Sequence, residues 1–382
     1  MFRIDGALKD YPWGVTGGLR SWLPDPSDGA AGLDEEATAG PEAELWFGAH
    51  PSGPSPLADH RGRSLREVTD PADVPLLVKL LAAARPLSIQ VHPPAELAAT
   101  RFAAQEGDSG SSRLLADSRA KDEMLIALKP FSALRGLRDP ELASSVLTRL
   151  GGVAAEAAEL LRAGDPKGAI RRLLASDPTA LAEAGEKVAS TAAAAGLPTS
   201  DVQALAAVAR SYPGDPGVVV AAMLEHRSLL PGEAIYLPAG VVHAYVSGTG
   251  VEVMTASDNV LRLGLTGKTV AIEAALEAMR PELRPEPLRP SPVELADGGT
   301  VRYYRPEGAP FSVAWLTGGS ETFSSPVYRL VLATSGQVVV RDDCDAELRL
   351  RPGQAAAVLA SDGAVSVSAG GSAFVSEARA LA

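Results

Sequence analysis

The chain has 382 residues, length for roughly two or three domains of ordinary size. With 46% hydrophobic and 21% charged residues it has the balance of a globular protein that buries a sizeable core. Its 35 Lys and Arg against 47 Asp and Glu leave a net charge of -12, which excludes non-specific binding to nucleic acid or to an anionic membrane. A small anionic substrate remains compatible, provided that Lys and Arg cluster locally. A single cysteine, Cys344, excludes an intramolecular disulfide and a thiolate metal cluster. Charge interrupts the Met1–Gly6 segment too early for a secretory signal, and no apolar stretch approaches the roughly 20 residues of a membrane span. The expected location is the cytoplasm.

From residue 1 to about 135 the chain is turn-rich and strand-like, with short apolar runs such as Pro75 to Leu81 and Leu87 to His92 bounded by proline. Ala, Leu, Glu and Arg dominate from about 138 to 210, where Ala154 to Leu161 and Val202 to Ala209 carry helical spacing. Gly164-Asp165-Pro166, Asp177-Pro178 and Gly196-Leu197-Pro198 cut that block into short helices. Tyr212 to Gly217 closes it, and Val218 to His226 reads as one more apolar helix with His226 near its C-terminus. Strands return at Ala234 to Pro238 and Val241 to Val246. A Pro-rich connector follows at about 281–292, then a strand-rich tail that includes Tyr328 to Leu332 and Gln337 to Val340. The expected fold is mainly β with a helical insertion: two β-barrel or jelly-roll domains plus an α-helical domain. The expected boundaries are 1–137 and 227–290 for a divided first β domain and its connector, 138–226 for the insertion, and 291–382 for a second β domain that contains no histidine.

Five histidines exist: His50, His60, His92, His226 and His243. Side chains alternate across a strand, so Ser88, Gln90 and His92 share one face while Ile89 and Val91 take the other. The same alternation groups Lys121 with Glu123, and His243 with Tyr245. One Gln, two His and one Glu on inward faces offer a mixed nitrogen and oxygen site for a divalent metal. By pattern alone each of these histidines is more often a core or surface residue than a ligand, and no His-Glu-x-x-His or paired-Cys motif accompanies them. Lys79 interrupts an apolar run, where an unpaired charge is costly. Glu252 sits between apolar neighbours, either as a desolvated carboxylate tuned towards neutral pH or as a solvated edge residue. Asp258 belongs to a Ser-Asp-Asn stretch that suits a base or a turn equally. His50 and His60 lie in a Pro-rich region and carry no assigned role. The Gly17-Gly18 pair lacks the Lys-Ser/Thr of a phosphate loop and reads as a turn.

Read together, these segments resemble the type I mannose-6-phosphate isomerases, zinc-dependent cupin enzymes. The matching stretches are Tyr11-Pro12-Trp13-Gly14, Glu44 to Pro51, Pro86 to Pro93, Lys121 to Met124, Leu237 to Tyr245, and Ser257 to Arg262 continuing through Leu265 to Lys268. They occur in order from about residue 10 to 270, and the likeness weakens over the helical block and the C-terminal domain. Three positions depart from the family pattern: Leu263 where a small residue is usual, Gly267 where proline is usual, and Pro94 where an acidic residue is common.

The resemblance implies two cupin barrels, the second without metal ligands, and one Zn2+ per chain held by Gln90, His92, Glu123 and His243. It implies a catalytic Arg262 and makes Lys79, Lys121 and Ser88 pocket contacts. The implied reaction moves a proton between C1 and C2 of mannose 6-phosphate and fructose 6-phosphate. Three neutral ligands and one carboxylate leave about +1 on a divalent ion, which suits Lewis-acid work on a developing oxyanion. Glu252 and Lys121 join Arg262 as expected catalytic groups. Arg262 and Lys268 are expected to meet the phosphate, with Ser88, Lys79, Asp258 and Trp13 around the sugar. The implied partner is a small phosphosugar, with no nucleic acid and no membrane, for a monomer or weak homo-oligomer. Two alternatives stand beside this reading, a non-catalytic sugar-phosphate-binding cupin and a metal-dependent cupin oxygenase.

Overall fold

The segment Leu76–Ala83 is buried at every position, yet its two faces differ. Leu76, Val78, Leu80 and Ala82 enter one apolar layer, while Leu77, Lys79 and Leu81 turn the other way and line a cavity. A strand covered on both sides reads as a continuous hydrophobic run, and period-2 alternation then decides which side receives the lysine. Neighbouring strands repeat the division. Leu45 and Phe47 join the apolar layer while Glu44 and Trp46 face the cavity; Val251 and Val253 join it while Glu252 and Met254 face the cavity.

The computed structural model describes residues 1–23, 40–60, 62–106 and 113–379. Among them, ten strands form the sheet that wraps this cavity, with His243–Thr255 as its hub. That strand pairs antiparallel with Leu76–Ala83, Gln90–Val91, Glu123–Ala127 and Phe131–Leu137. A register shift between Tyr245 and Ser247, where Val246 is the extra residue, changes the parity of the hub strand. His243 and Tyr245 before the bulge therefore share the inner side with Glu252 and Met254 after it.

The apolar layer is shared with a second sheet. Among the described residues that sheet has seven strands, including Arg329–Ser335, Gln354–Val358 and Ser372–Ala378, with Phe2–Asp5 from the chain start paired along Gln354–Val358. Leu330 and Leu332 pack towards the first sheet, whereas Val331 and Ala333 pack into a separate core shared with a four-stranded sheet. The molecule is thus mainly β, with two barrel-like β units joined through one apolar layer.

Helices fill the stretch between the Phe131–Leu137 and Leu224–Leu229 strands: Pro140–Leu150, Gly152–Arg162, Pro166–Leu174, Pro178–Ala194, Thr199–Ser211 and Gly217–Ala221. Three of them start at an Asp-Pro pair. Proline fits the first helical position, and the aspartate before it accepts backbone N–H groups that have no helical partner. Asp139 accepts from Glu141 and Leu142, Asp165 from Gly168 at 2.7 Å, and Asp177 from Thr179. Asp165→Ala is expected to lower stability by about 1 kcal/mol, read as a lower urea midpoint at unchanged slope. The helices bury Leu, Val and Ala against the outer faces of the cavity strands, where Ile89, Val91, Leu134, Ala244 and Leu261 join their core.

Three sequence expectations fail here: Ala95–Glu106 is a helix inside the block read as strand-like, Phe2–Asp5 from the expected first domain joins the second sheet, and one apolar run is divided. Val218 to His226 is not a single helix: the helix ends at Ala221, and Leu224–Leu229 is a strand paired with Phe131–Leu137. An apolar run of that length has no periodicity that separates the two states. His226 accordingly lies on a strand, buried between Ser132 Oγ at 2.9 Å and Asp201 Oδ1 at 3.4 Å, and not at a helix C-terminus. Among the described residues no helix is long and apolar enough to cross a membrane.

Candidate metal centre and adjoining cavity

Antiparallel pairing sets directly opposite side chains on one face of the sheet. His243 is opposite Gln90, and Gln90 is opposite Arg262, so all three stand in one cross-strand row. His92 follows two residues after Gln90. Glu123 arrives from the next strand, opposite Met254. The chain thereby brings His92, Glu123 and His243 together, with ligand atoms all within 4.8 Å of one another.

The hydrogen bonds fix how these groups point. His92 Nδ1 is 2.7 Å from the Asn259 carbonyl, and His243 Nδ1 is 2.9 Å from the Val241 carbonyl. A carbonyl only accepts, so each Nδ1 carries a proton and Nε2 is the nitrogen of each ring left to offer a lone pair to a metal. Those Nε2 atoms lie 3.1 and 2.9 Å from the two oxygens of Glu123. His243 Nε2 is buried and makes no hydrogen bond. Burial, and then the Lys121 cation, push His92 down to about 4, so its ring is neutral at pH 7. Burial alone would raise the Glu123 carboxyl, but Lys121 and the two histidines outweigh it and hold the group well below its ordinary range. Two imidazole lone pairs and a carboxylate thus face one another in a dry site, a donor set that fits a divalent cation. Backbone carbonyls behind both rings supply the outer contacts such ligands use.

Lys121 Nζ lies 2.9 Å from Glu123 and 3.3 Å from His92 Nε2. Tyr245 donates its hydroxyl to Glu123 at 3.2 Å. Burial and the two carboxylates Glu123 and Glu252 raise this phenol well above its usual value, so it stays protonated.

Beside the three-residue cluster opens a cavity of about 690 Å³, within the about 300–1,000 Å³ usual for small-molecule sites. Every remaining sequence-predicted site residue lines it: Trp13, Lys79, Ser88, Gln90, Lys121, Glu252, Asp258, Arg262 and Lys268. Gln90 belongs to the His243 row and this wall. Lys79 pairs with Glu252 at 2.7 Å and with Glu44 at 3.5 Å, under the Trp46 ring at 5.0 Å. Burial opposes the charge on Lys79, but Glu252 and then Glu44 outweigh it and raise its pKa. For Glu252 burial dominates and raises the carboxyl, with Lys79 pulling the other way. Its neighbours on the strand are apolar, as the sequence suggests, yet it is a paired interior group. Burial lowers the pKa of Arg262. Lys268 reaches over the Tyr11 ring, which stacks on Trp13 at 5.7 Å.

The bulky Leu263 and Arg262 point to opposite sides, Arg262 lining the cavity. The leucine side chain is fully buried in the helical core, and its N–H donates to the Ile89 carbonyl at 2.8 Å. At Gly267 a Cβ would have open space, so packing does not demand glycine there.

Sequence reasoning missed His50. Its ring is buried edge-on to Trp46 at 5.1 Å, and its Nε2 lies 3.2 Å from Asp258 Oδ2. Burial alone would raise the Asp258 carboxyl, but His50 and then Ser52 hold it below its usual range. Period-2 alternation over Glu44-Leu45-Trp46 carried a usable signal for that wall, while the prolines after it masked His50. His60 is exposed and takes no part.

The chain and its fold are similar to those of known proteins. A family profile described as phosphomannose isomerase type I, catalytic domain, matches residues 1–140. The human mannose-6-phosphate isomerase is 31% identical over 318 residues, 73% of each chain. A probable mannose-6-phosphate isomerase of Echinococcus multilocularis is 30% identical over 416 residues, 92% of each chain. The crystal structure of the Salmonella typhimurium mannose 6-phosphate isomerase, bound to substrate and a zinc atom, superposes with a TM-score of 0.80 at 25% identity, covering 100% of both chains.

Proposed function

This chain belongs to the type I mannose-6-phosphate isomerase family, and from that premise we infer that it is a zinc-dependent aldose–ketose isomerase interconverting D-mannose 6-phosphate and D-fructose 6-phosphate. The observation that carries the reading is the dry convergence of two imidazole lone pairs and one carboxylate beside a cation-lined cavity. We assign Gln90, His92, Glu123 and His243 as the residues that hold one zinc ion. When bound, the ion supplies Lewis-acid stabilisation of negative charge on the sugar oxygens at C1 and C2.

The chain's own groups divide the remaining work. Glu252 takes the proton from the carbon beside the carbonyl and returns it to the neighbouring carbon. A buried carboxyl with a raised pKa suits that exchange, and Lys79 keeps enough of it ionised. Lys121 sits where a sugar hydroxyl proton moves. Arg262 offers a planar pair of donors to developing charge. Arg262 and Lys268 meet the phosphate end, against the acidic background of the whole chain, and Ser88 is a polar contact to the sugar. Asp258, held by His50, accepts from sugar hydroxyls, and Trp13 closes one wall.

In this reading the catalytic cupin domain with its connector takes residues 1–137 and 227–290 together with the strand residues Leu224 to His226, the insertion ends ahead of that strand, and 291–382 is a supporting β domain without metal ligands to whose sheet Phe2–Asp5 adds a strand. The enzyme works in the cytoplasm as a monomer or weak homo-oligomer on a free phosphosugar, with neither nucleic acid nor membrane as partner. The purified chain is expected to contain stoichiometric zinc and to convert mannose 6-phosphate in a coupled assay. Chelation should abolish turnover and zinc should restore it. Phosphosugar binding without turnover by the zinc-loaded chain would instead leave a sensor.

A further inference from the structure

We propose that Asp215 is a positioning residue for the segment that carries Arg262 and Lys268, acting from the end of the helical insertion. The inference rests on the isomerase reading for its kinetic consequence, while its structural part stands separately. Asp215 is absent from the cavity wall, whereas Thr266 is part of it. One carboxylate oxygen of Asp215 accepts the Gly217 N–H at 2.7 Å, and the other accepts the Thr266 N–H at 3.1 Å. A single side chain therefore ties the turn that closes the insertion to the wall segment after Arg262.

The backbones meet at the same place. A Cβ on Gly264 would lie 2.7 Å from the Gly217 Cα, and one on Gly217 would lie 2.8 Å from the Leu265 nitrogen. Gly264 has φ +125° and Leu265 φ +55°. Left-handed backbone at a leucine brings its Cβ close to the following carbonyl oxygen, and it persists only where the surroundings over-determine it. Upstream, Leu263 N–H donates to Ile89 and Ile89 N–H donates to Gly264. Downstream, Asp215 holds Thr266. These two anchors bracket the strained leucine, so releasing Thr266 lets the segment relax and carry Arg262 and Lys268 out of alignment. The same turn of the insertion braces the facing wall, where the Tyr212 hydroxyl donates to the Pro86 carbonyl at 2.7 Å, just ahead of Ser88, Gln90 and His92.

The test uses the zinc-loaded full chain. Amide hydrogen exchange at Thr266 is expected to quicken at least about ten-fold in Asp215→Ala, with zinc content and far-UV dichroism unchanged. The kcat should fall about 10- to 100-fold, the scale of a misplaced catalytic group. Asp215→Asn, which keeps one accepting oxygen, should fall less. In an Arg262→Ala background Asp215→Ala should cost less than about three-fold, because residues acting through one another are not additive. Unchanged exchange at Thr266, an undiminished kcat, or an equal loss in both backgrounds would each overturn the proposal. If Asp215→Ala does not fold, Asp215→Ser, whose shorter side chain gives up the reach to Thr266, is read in its place against the same outcomes. A wild-type chain with no turnover would sink the isomerase reading, and the exchange at Thr266 would still decide whether Asp215 holds the segment.

Discussion

Replacing Glu123 by glutamine is expected to strip the metal and reduce turnover by more than about a hundred-fold at ordinary zinc concentrations. The substitution keeps the shape of the side chain, removes its charge and turns one accepting oxygen into an NH2 donor. In the native chain that carboxylate touches both imidazoles, the Lys121 ammonium and the Tyr245 hydroxyl. With an amide in its place, Lys121 becomes a buried cation without its carboxylate partner, and it repels a divalent ion from the space the ion would enter. His243→Ala removes a donor and leaves the charge balance intact, so it should respond more to excess zinc than Glu123→Gln does. Stoichiometric zinc in Glu123→Gln after gel filtration would contradict the assignment. Acid should release the metal late. Ligands must be deprotonated to bind, and His92 in the metal-free chain does not protonate until about pH 4, so zinc should survive mildly acidic buffer. For folding the sign is the same. An unfolded histidine protonates near pH 6.5 and the buried one near 4, so the stability His92 contributes is complete above about pH 6.5 and declines between the two values as pH falls.

How much of this was legible in the sequence depends on the range of the signal. Short-range alternation was partly readable: Ile89 and Val91 do enter the helical core while Ser88 and Gln90 line the cavity, although only Gln90–Val91 forms a strand there. The lysine inside the Leu76–Ala83 run was readable too, because a charge in a buried strand must find a partner. Period-2 counting fails across the extra residue at Val246, so nothing in the sequence sets Glu252 on the same side as His243. A change of state within an apolar run also hides from a single sequence. Val218 to His226 switches from helix to strand because the partner strand Phe131–Leu137 claims its second half, a tertiary decision. The His50–Asp258 and Asp215–Thr266 contacts join residues 208 and 51 positions apart through backbone geometry that no local pattern encodes. Function came from the one signal that integrates such long-range facts, several short motifs in a fixed order.

Lys79→Met should carry the largest stability cost of any pocket substitution, about 3–5 kcal/mol at neutral pH. Removing the cation leaves Glu252 and Glu44 facing each other in a dry wall, with Glu123 adding like charge. Glu252→Gln is milder for folding, since Lys79 keeps Glu44 at 3.5 Å. The two variants also differ with pH. The Glu252 carboxyl is already raised by burial, and losing Lys79 raises it further. A group whose folded pKa lies above its unfolded one stabilises below the unfolded value, near pH 4, and loses that contribution as pH rises through the folded value. The Lys79→Met penalty should therefore shrink towards about pH 5 and grow towards about pH 8, measured as urea midpoints across that range. Turnover should move in step. If Glu252 is the base, the acidic limb of kcat/KM shifts to higher pH in Lys79→Met, whereas Glu252→Gln loses about 10²–10⁴ in kcat at every pH while retaining zinc. A penalty independent of pH, together with an unmoved acidic limb, would remove Glu252 from the reaction and leave the Lys79–Glu252 pair a purely architectural one.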